Sequence, residues 1–359
     1  MTSPKLDGED SKSNQVELGG YDNYIAVDWS KANMAIARLT RRGVQPKVFE
    51  RPADVEELKT YLRGLKGKTI VTIEETTVAH WLYLELHDVV DRILICDPYR
   101  NKLLSDGPKT DKIDAAKLCE LLRAGLLREV FHTDNELYEL RRLVSAYDDL
   151  VANGVRSLNR RYSLIRGVGP SGEKDNSSPE GLHSSKDFIL KSLDNGIELY
   201  QQTKAEYEKK FEWWCKRDKL LKAMLKVNGI GTISAVKILA TVIDVRRFPD
   251  SGHYLAYCGL VKLEKISGNR SYGKRKPRYS RVLKSVYKTA AMVALQGNNP
   301  MREYYGYLIG KGVAEHNARN AVARCIAKVT YGMLKSGEEY QPYKWRKNKK
   351  QREVESLVE

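Results

Sequence analysis

Cysteine and histidine are scarce in this chain of 359 residues, and long apolar runs are missing. The five cysteines, Cys96, Cys119, Cys215, Cys258 and Cys325, are scattered and never spaced as CxxC. That pattern argues against a disulfide framework or a structural zinc site and fits a reducing cytoplasm. The six histidines are equally dispersed. His80 and His87 lie two helical turns apart, but no Glu or third ligand completes a zinc pattern, so both read as ordinary helix residues. No apolar stretch could span a bilayer, and the opening residues Met1 to Asp10 lack the apolar core of a signal peptide. The expectation is a cytoplasmic protein without a membrane partner.

Charge, in contrast, is plentiful and one-sided. Lys and Arg number 62 against 46 Asp and Glu, giving a net charge of +16. Such an excess points to a polyanionic partner, nucleic acid first and an anionic membrane surface second. The length suffices for two or three structural units.

Residues 1–20 are polar and expected to be disordered. From Tyr24 the pattern is three strands, a helix, a strand ending at Glu74-Glu75, a second helix, and a strand at Arg92 to Cys96. A further helix then begins after Lys109-Thr110-Asp111-Lys112-Ile113-Asp114-Ala115. This is an α/β layout with a mixed sheet, matching the ribonuclease-H-like arrangement over residues 21–134. Apolar residues from Leu137 to Ile165 recur every three or four positions, as in a long amphipathic helix. A polar, glycine-rich break at 167–186 precedes a second such stretch running to Lys226. Over 135–226 the two predict an antiparallel coiled-coil arm, with Trp213 and Trp214 as packing residues rather than a base-stacking platform.

A mainly helical domain is expected over 227–340. It opens with Asn228-Gly229-Ile230-Gly231, where Gly229 and Gly231 permit a turn that leaves backbone N–H groups free for phosphate. That resembles a helix-hairpin-helix turn gripping DNA backbone, with a plain helix-helix turn as the alternative. Residues 262–288 are strongly basic, Arg270, Lys274, Arg275, Lys276 and Arg278 among them, with Glu264 the only acid. The tail 341–359 adds Lys347, Lys349 and Lys350, read as a flexible nucleic-acid contact.

Asp111 and Asp114 sit three residues apart and would project from one face of a helix start. Alone, each is a common cap or dipole partner. Asp28 at the end of the first strand and Glu74 at the end of its expected neighbour change that reading. Four acids from two strands and one helix could converge on divalent cations, and oxygen ligands suit Mg²⁺ or Mn²⁺.

In this order the motifs resemble the insertion-sequence transposases with a DEDD acidic tetrad, the family that includes the Piv-type DNA invertases. The resemblance rests on Val27-Asp28-Trp29-Ser30-Lys31, Ile73-Glu74-Glu75-Thr76 and the Lys109 to Ala115 stretch. In the second half it rests on Asn228 to Gly231, Arg247-Phe248-Pro249, Ala256-Tyr257-Cys258-Gly259-Leu260-Val261 and Ser267-Gly268. It implies a RuvC-like acidic domain, a coiled-coil arm and a transposase domain with a nucleophilic serine at Ser267. It also implies DNA recombination through a phosphoserine link, donor and target DNA as partners, and guidance by an RNA transcribed from the element itself. A dimer or tetramer, associated with the prokaryotic nucleoid, follows from the same resemblance. Glu75 rivals Glu74 because many members carry Ala there, and Ser271, Tyr272 and Tyr279 rival Ser267. A junction nuclease using water, or a non-catalytic nucleic-acid binder, remain the alternatives from the residues alone.

Overall fold

The computed structural model describes residues 20–98, 110–132, 134, 136–166, 180–267, 270–275 and 277–342. Lys109, Gly268, Lys276, Lys347, Lys349, Lys350, nearly all of the 1–20 tail and most of the 167–186 break lie outside the described residues. The chain divides into two compact units, Met1–Asn135 and Glu136–Glu359.

The first unit is built on a five-stranded sheet in the order β3-β2-β1-β4-β5. Its strands are β1 (Asn23–Trp29), β2 (Asn33–Thr40), β3 (Lys47–Pro52), β4 (Thr69–Glu74) and β5 (Arg92–Cys96). The strands β1, β2 and β3 run antiparallel, while β1, β4 and β5 are parallel, so the sheet is mixed. The inner strands are near-continuous apolar runs because both faces are covered. On one face Ile25, Val27, Ile36, Val71 and Ile73 meet Leu58 and Leu62 of α1 (Val55–Arg63) and Leu82 and Leu86 of α2 (Ala79–Leu86). On the other face Tyr24, Ala26, Ala35, Ala37 and Ile70 meet α3 (Asp111–Arg123) through Ala115, Leu118, Cys119 and Leu122. The alanines leave room for close approach, and the Cys119 thiol donates to the Tyr24 carbonyl at 3.1 Å. Burial pushes that thiol up to about 12, so it stays protonated.

The second unit begins with two long helices, α4 (Leu137–Arg166) and α5 (Glu180–Arg217). Tyr147 donates to Glu208 at 2.8 Å, Tyr200 lies against Gly154, and Arg161 pairs with Asp194. Partners descend along α5 as they ascend along α4, so the pair is antiparallel. Gly154 is needed there: a Cβ would lie 2.5 Å from the Tyr200 ring. Two expectations are corrected here. The break ends earlier than 186, because α5 is helical from Glu180. Nor does α5 run on to Lys226, because the Asp218 carboxylate accepts from the Leu221 N–H at 2.8 Å and starts a new short helix, α6 (Lys219–Met224). Trp214 packs on the core, whereas Trp213 is about half exposed with the Arg217 guanidinium 5.1 Å from its ring centre.

The remainder packs α7 (Thr232–Val242), α8 (Ser251–Tyr257), α9 (Arg281–Ala294), α10 (Pro300–Gly310) and α11 (Glu315–Ser336) around one core. Its centre holds Tyr254 and Tyr287, fully buried and hydroxyl to hydroxyl, with Tyr287 also 2.8 Å from Thr330. Between α8 and α9 the basic run contains an element the sequence did not reveal. It is a two-stranded hairpin of β6 (Leu263–Ser267) and β7 (Arg270–Arg275).

Candidate functional site: an acidic sheet edge and a basic hairpin

Val27 of β1 lies opposite Ile73 of β4 in parallel register. Asp28 and Glu74 are therefore the next residues on adjacent strands, at the same end of the sheet. Strand side chains alternate between faces. Val27 and Ile73 face α1 and α2, so Asp28 and Glu74 turn to the side that α3 covers. Both acids are half-buried.

Helix α3 brings the other two acids to that side. Its buried stripe is Ala115, Leu118, Cys119 and Leu122. Asp111 and Asp114 continue this stripe backwards at helical spacing, beyond the part that packs on the sheet. The Thr110 hydroxyl caps the helix by accepting from the Ile113 N–H at 3.3 Å. Two acids in the first turn are also favoured by the helix dipole. Burial first, then the charges of Asp111 and Asp114, raise the Asp28 pKa from its ordinary value. Lys112, on another face of the helix, pairs with Glu50 of β3 at 3.1 Å.

Glu75 is engaged elsewhere. Its carboxylate lies 2.6 Å from His132 Nε2, and the other ring nitrogen, Nδ1, of His132 is 3.3 Å from His80 Nδ1 on α2. The His132 side chain is 3 % exposed. Histidines dispersed in sequence are thus neighbours in space, a grouping no local spacing could have signalled. It ties the residue after Glu74 toward α2 and leaves Glu74 with the α3 side.

Among the described residues, no three acids or other ligand side chains already close on a point as a metal cage. The chemistry of the four acids still suits a hard divalent cation: carboxylate oxygens are hard ligands, and their mutual repulsion is what such a cation offsets.

Ser267 belongs to the second unit. It is the last residue of β6, its backbone opposite Arg270. Arg270, Lys274 and Arg275 are exposed along β7, and Arg278 follows, also exposed. Lys274 lies 3.7 Å from the carboxylate of Glu264. Of the rivals to Ser267, Tyr279 has a packing role. Its ring closes on Gly259, and the Lys284 ammonium sits 4.3 Å from the ring centre. Gly229 also packs: at φ +89° it passes so near α9 that a Cβ would lie 2.0 Å from the Ala290 carbonyl oxygen. Gly231, with open space around it, begins α7, whose start carries no side-chain cap.

Two family models match the chain. One, a DEDD-type transposase domain of the IS110 group described as Transposase, covers residues 25–170. The other, described as Transposase IS116/IS110/IS902 family, covers 221–306. A 43.6 kDa insertion element IS110 protein of Streptomyces coelicolor is 24% identical over 65% of this chain and 72% of its own length. A Pseudomonas aeruginosa protein named "Probable family 20 transposase" is 26% identical over 72% of this chain and 81% of its own. The transposase for insertion sequence element IS1111A of Coxiella burnetii is 24% identical over 49% and 52%. These matches define an enzyme that cuts and rejoins DNA. The chain belongs to the IS110/IS116 family of transposases. No helix among the described residues is long and apolar enough to cross a membrane.

Proposed function

We propose that the chain is the recombinase of an insertion sequence, with a RuvC-like acidic domain that works with a serine of the transposase domain. Asp28, Glu74, Asp111 and Asp114 would hold Mg²⁺ or Mn²⁺. When bound, the metal withdraws charge from the scissile phosphate. The Ser267 Oγ attacks phosphorus and gives up its proton. A serine-phosphate bond forms as one sugar-phosphate bond breaks, and the departing sugar oxygen leaves as a hydroxyl. Attack by a hydroxyl from the partner strand reverses the step and frees the serine. No phosphoester is lost to water, so cutting and rejoining need no external energy source.

The observation that carries this reading is that β1 and β4 end in Asp28 and Glu74 at one end of the sheet, on the side covered by α3, whose first turn bears Asp111 and Asp114, in a chain of this family. The antiparallel α4 and α5 fit a coiled-coil arm that joins protomers into a dimer or tetramer. The net charge of +16 leaves capacity for a guide RNA besides donor and target DNA. The domain limits proposed are 21–134, 135–226 and 227–340, flanked by tails.

The test is plasmid recombination with Mg²⁺ by protein purified together with its element. Ser267→Ala should abolish both strand exchange and the covalent protein–DNA adduct. Continued cutting by that variant would instead establish a nuclease that uses water. Sequencing the co-purified RNA tests guidance separately: absence of any specific RNA removes the guide and leaves the recombinase.

A further inference from the structure

The hairpin that carries Ser267 is an arm on a fixed base. The chain leaves the helical body at Gly259 and returns at Ser280, whose N–H donates to the Tyr257 carbonyl at 2.7 Å. Gly259, at φ +65°, lies so close to Tyr279 that a Cβ would come within 2.6 Å of the ring. Start and finish are thus pinned together, while every side chain of β7 is exposed.

The register within the arm is uneven. Ile266 pairs with Ser271 and Glu264 with Lys274. One residue of β6, Lys265, therefore faces two of β7, Tyr272 and Gly273. This is a bulge, and its second residue, Gly273, adopts a φ of +103° that few side chains tolerate. Bulges re-aim the side chains beside them. Here the neighbour is Tyr272, an aromatic residue 66% exposed. From Lys262 to Arg281 there are eight basic residues and one acid. An aromatic left in water among cations has little to gain from its own chain, and the set matches the chemistry of nucleic-acid strands, phosphates outside and flat bases within.

We propose that Tyr272 is a stacking residue for a nucleobase of the DNA strand, taken out of the duplex beside the phosphate that Ser267 attacks. This rests on the proposed role of Ser267. Arg270 is opposite Ser267, and Tyr272 follows two residues later. At about 3.4 Å per strand residue, the ring stands roughly 7 Å further along, the length of one or two nucleotides. The cations of β7 hold the backbone, and the bulge turns the ring toward the base.

The test uses full-length protein and two synthetic DNAs, a plain duplex and the same duplex with a central unpaired thymine stretch, plus a structured RNA of equal length. Tyr272→Ala should weaken binding to the unpaired DNA by roughly 5- to 150-fold, as loss of one base–aromatic stack does. Tyr272→Phe should bind it within about twofold of wild type, since the ring face survives. On the plain duplex both variants should match wild type, and their melting temperatures should not move. Equal binding of the unpaired DNA by Tyr272→Ala and wild type overturns the proposal. So does a loss confined to the RNA, or a Phe variant as weak as Ala, which would assign the hydroxyl instead. Ser267→Ala, assayed alongside, should bind unpaired DNA like wild type while failing to exchange strands. If it exchanges strands, the nucleophile reading fails, and the stacking measurement still stands by itself.

Discussion

Asp28 and Glu74 stand at the ends of strands buried on both faces, whereas Ser267 and Arg270 stand on a two-stranded ribbon whose β7 is open to solvent. The acids are placed by a core. Ile25, Val27, Val71 and Ile73 fix register and face, and Ala115, Leu118, Cys119 and Leu122 fix the helix that brings Asp111 and Asp114. A lone two-stranded ribbon, in contrast, has marginal stability in water. Its base is pinned where the Ser280 N–H donates to the Tyr257 carbonyl. Metal-binding groups need rigid support, while a part that follows a strand of DNA gains from compliance. The contrast says where each function is vulnerable: the acidic edge to changes of charge and core, the ribbon to changes of surface.

The largest expected effect comes from the rigid side. Asp28→Asn should lower recombination by roughly 10³-fold or more, as loss of a charge-stabilising group at a phosphoryl centre does. Removing divalent metal with a chelator should do the same to wild type. DNA affinity, measured by gel shift, should stay unchanged because the ribbon is untouched. A matching loss of affinity would break the division of labour by making the acidic edge part of the binding surface.

Next in size is a change in the helical core of the second unit. Gly229→Ala places a methyl group 2.0 Å from the Ala290 carbonyl at a positive φ. The clash and the strained backbone together should cost about 3 kcal/mol or more. For a unit of this size that is a melting shift of roughly 6–12 °C. Gly231→Ala meets open space at an ordinary φ and should move the transition little. Calorimetry of the two variants separates a packing glycine from one free to meet phosphate. Equal destabilisation by both would refute that distinction.

The acidic half was readable from sequence for the same reason that it is rigid. Strands buried on both faces announce themselves as apolar runs, so their order and their terminal acids follow from pattern alone. The choice between Glu74 and Glu75 did not, because it depends on which face each side chain takes. Structure supplies the face through the register of Val27 and Ile73, and through His132, 57 residues along the chain from Glu75. The ribbon escaped sequence reading because β7 is exposed along its whole length. Leu263 to Arg275 shows no apolar alternation, and its basic residues read as a charged surface. The break at Asp218 escaped too, since apolar spacing continues across it while one side-chain cap ends the helix.

A smaller effect should come from the cap of α3. Thr110→Ala removes the acceptor for the Ile113 N–H, worth about 1 kcal/mol at a helix start. The first turn then frays where Asp111 and Asp114 reside. Recombination should need several-fold more Mg²⁺ for half-maximal rate, with the rate at saturating metal nearly kept. Thr110→Ser, which keeps the hydroxyl, should behave as wild type. A fall in the saturating rate with unchanged metal demand would assign Thr110 to catalysis rather than to placement of the acids.

The smallest effect on the fold is expected at Arg270. It is exposed, so Arg270→Ala should shift stability by no more than about 0.5 kcal/mol. Its consequence lies in salt dependence. Each phosphate neutralised by a cation adds roughly one to the slope of log affinity against log salt, so the variant should show a slope shallower by about one. The loss should be alike on unrelated DNA sequences, because a phosphate contact carries no base information. Lys112→Ala is the matched control on the acidic side: an exposed cation in an ion pair with Glu50, it should leave the slope where it was. If both substitutions flatten the slope equally, DNA contact extends across both units. If only Arg270→Ala does, the phosphate backbone is held by the ribbon and the acidic edge is left to its chemistry.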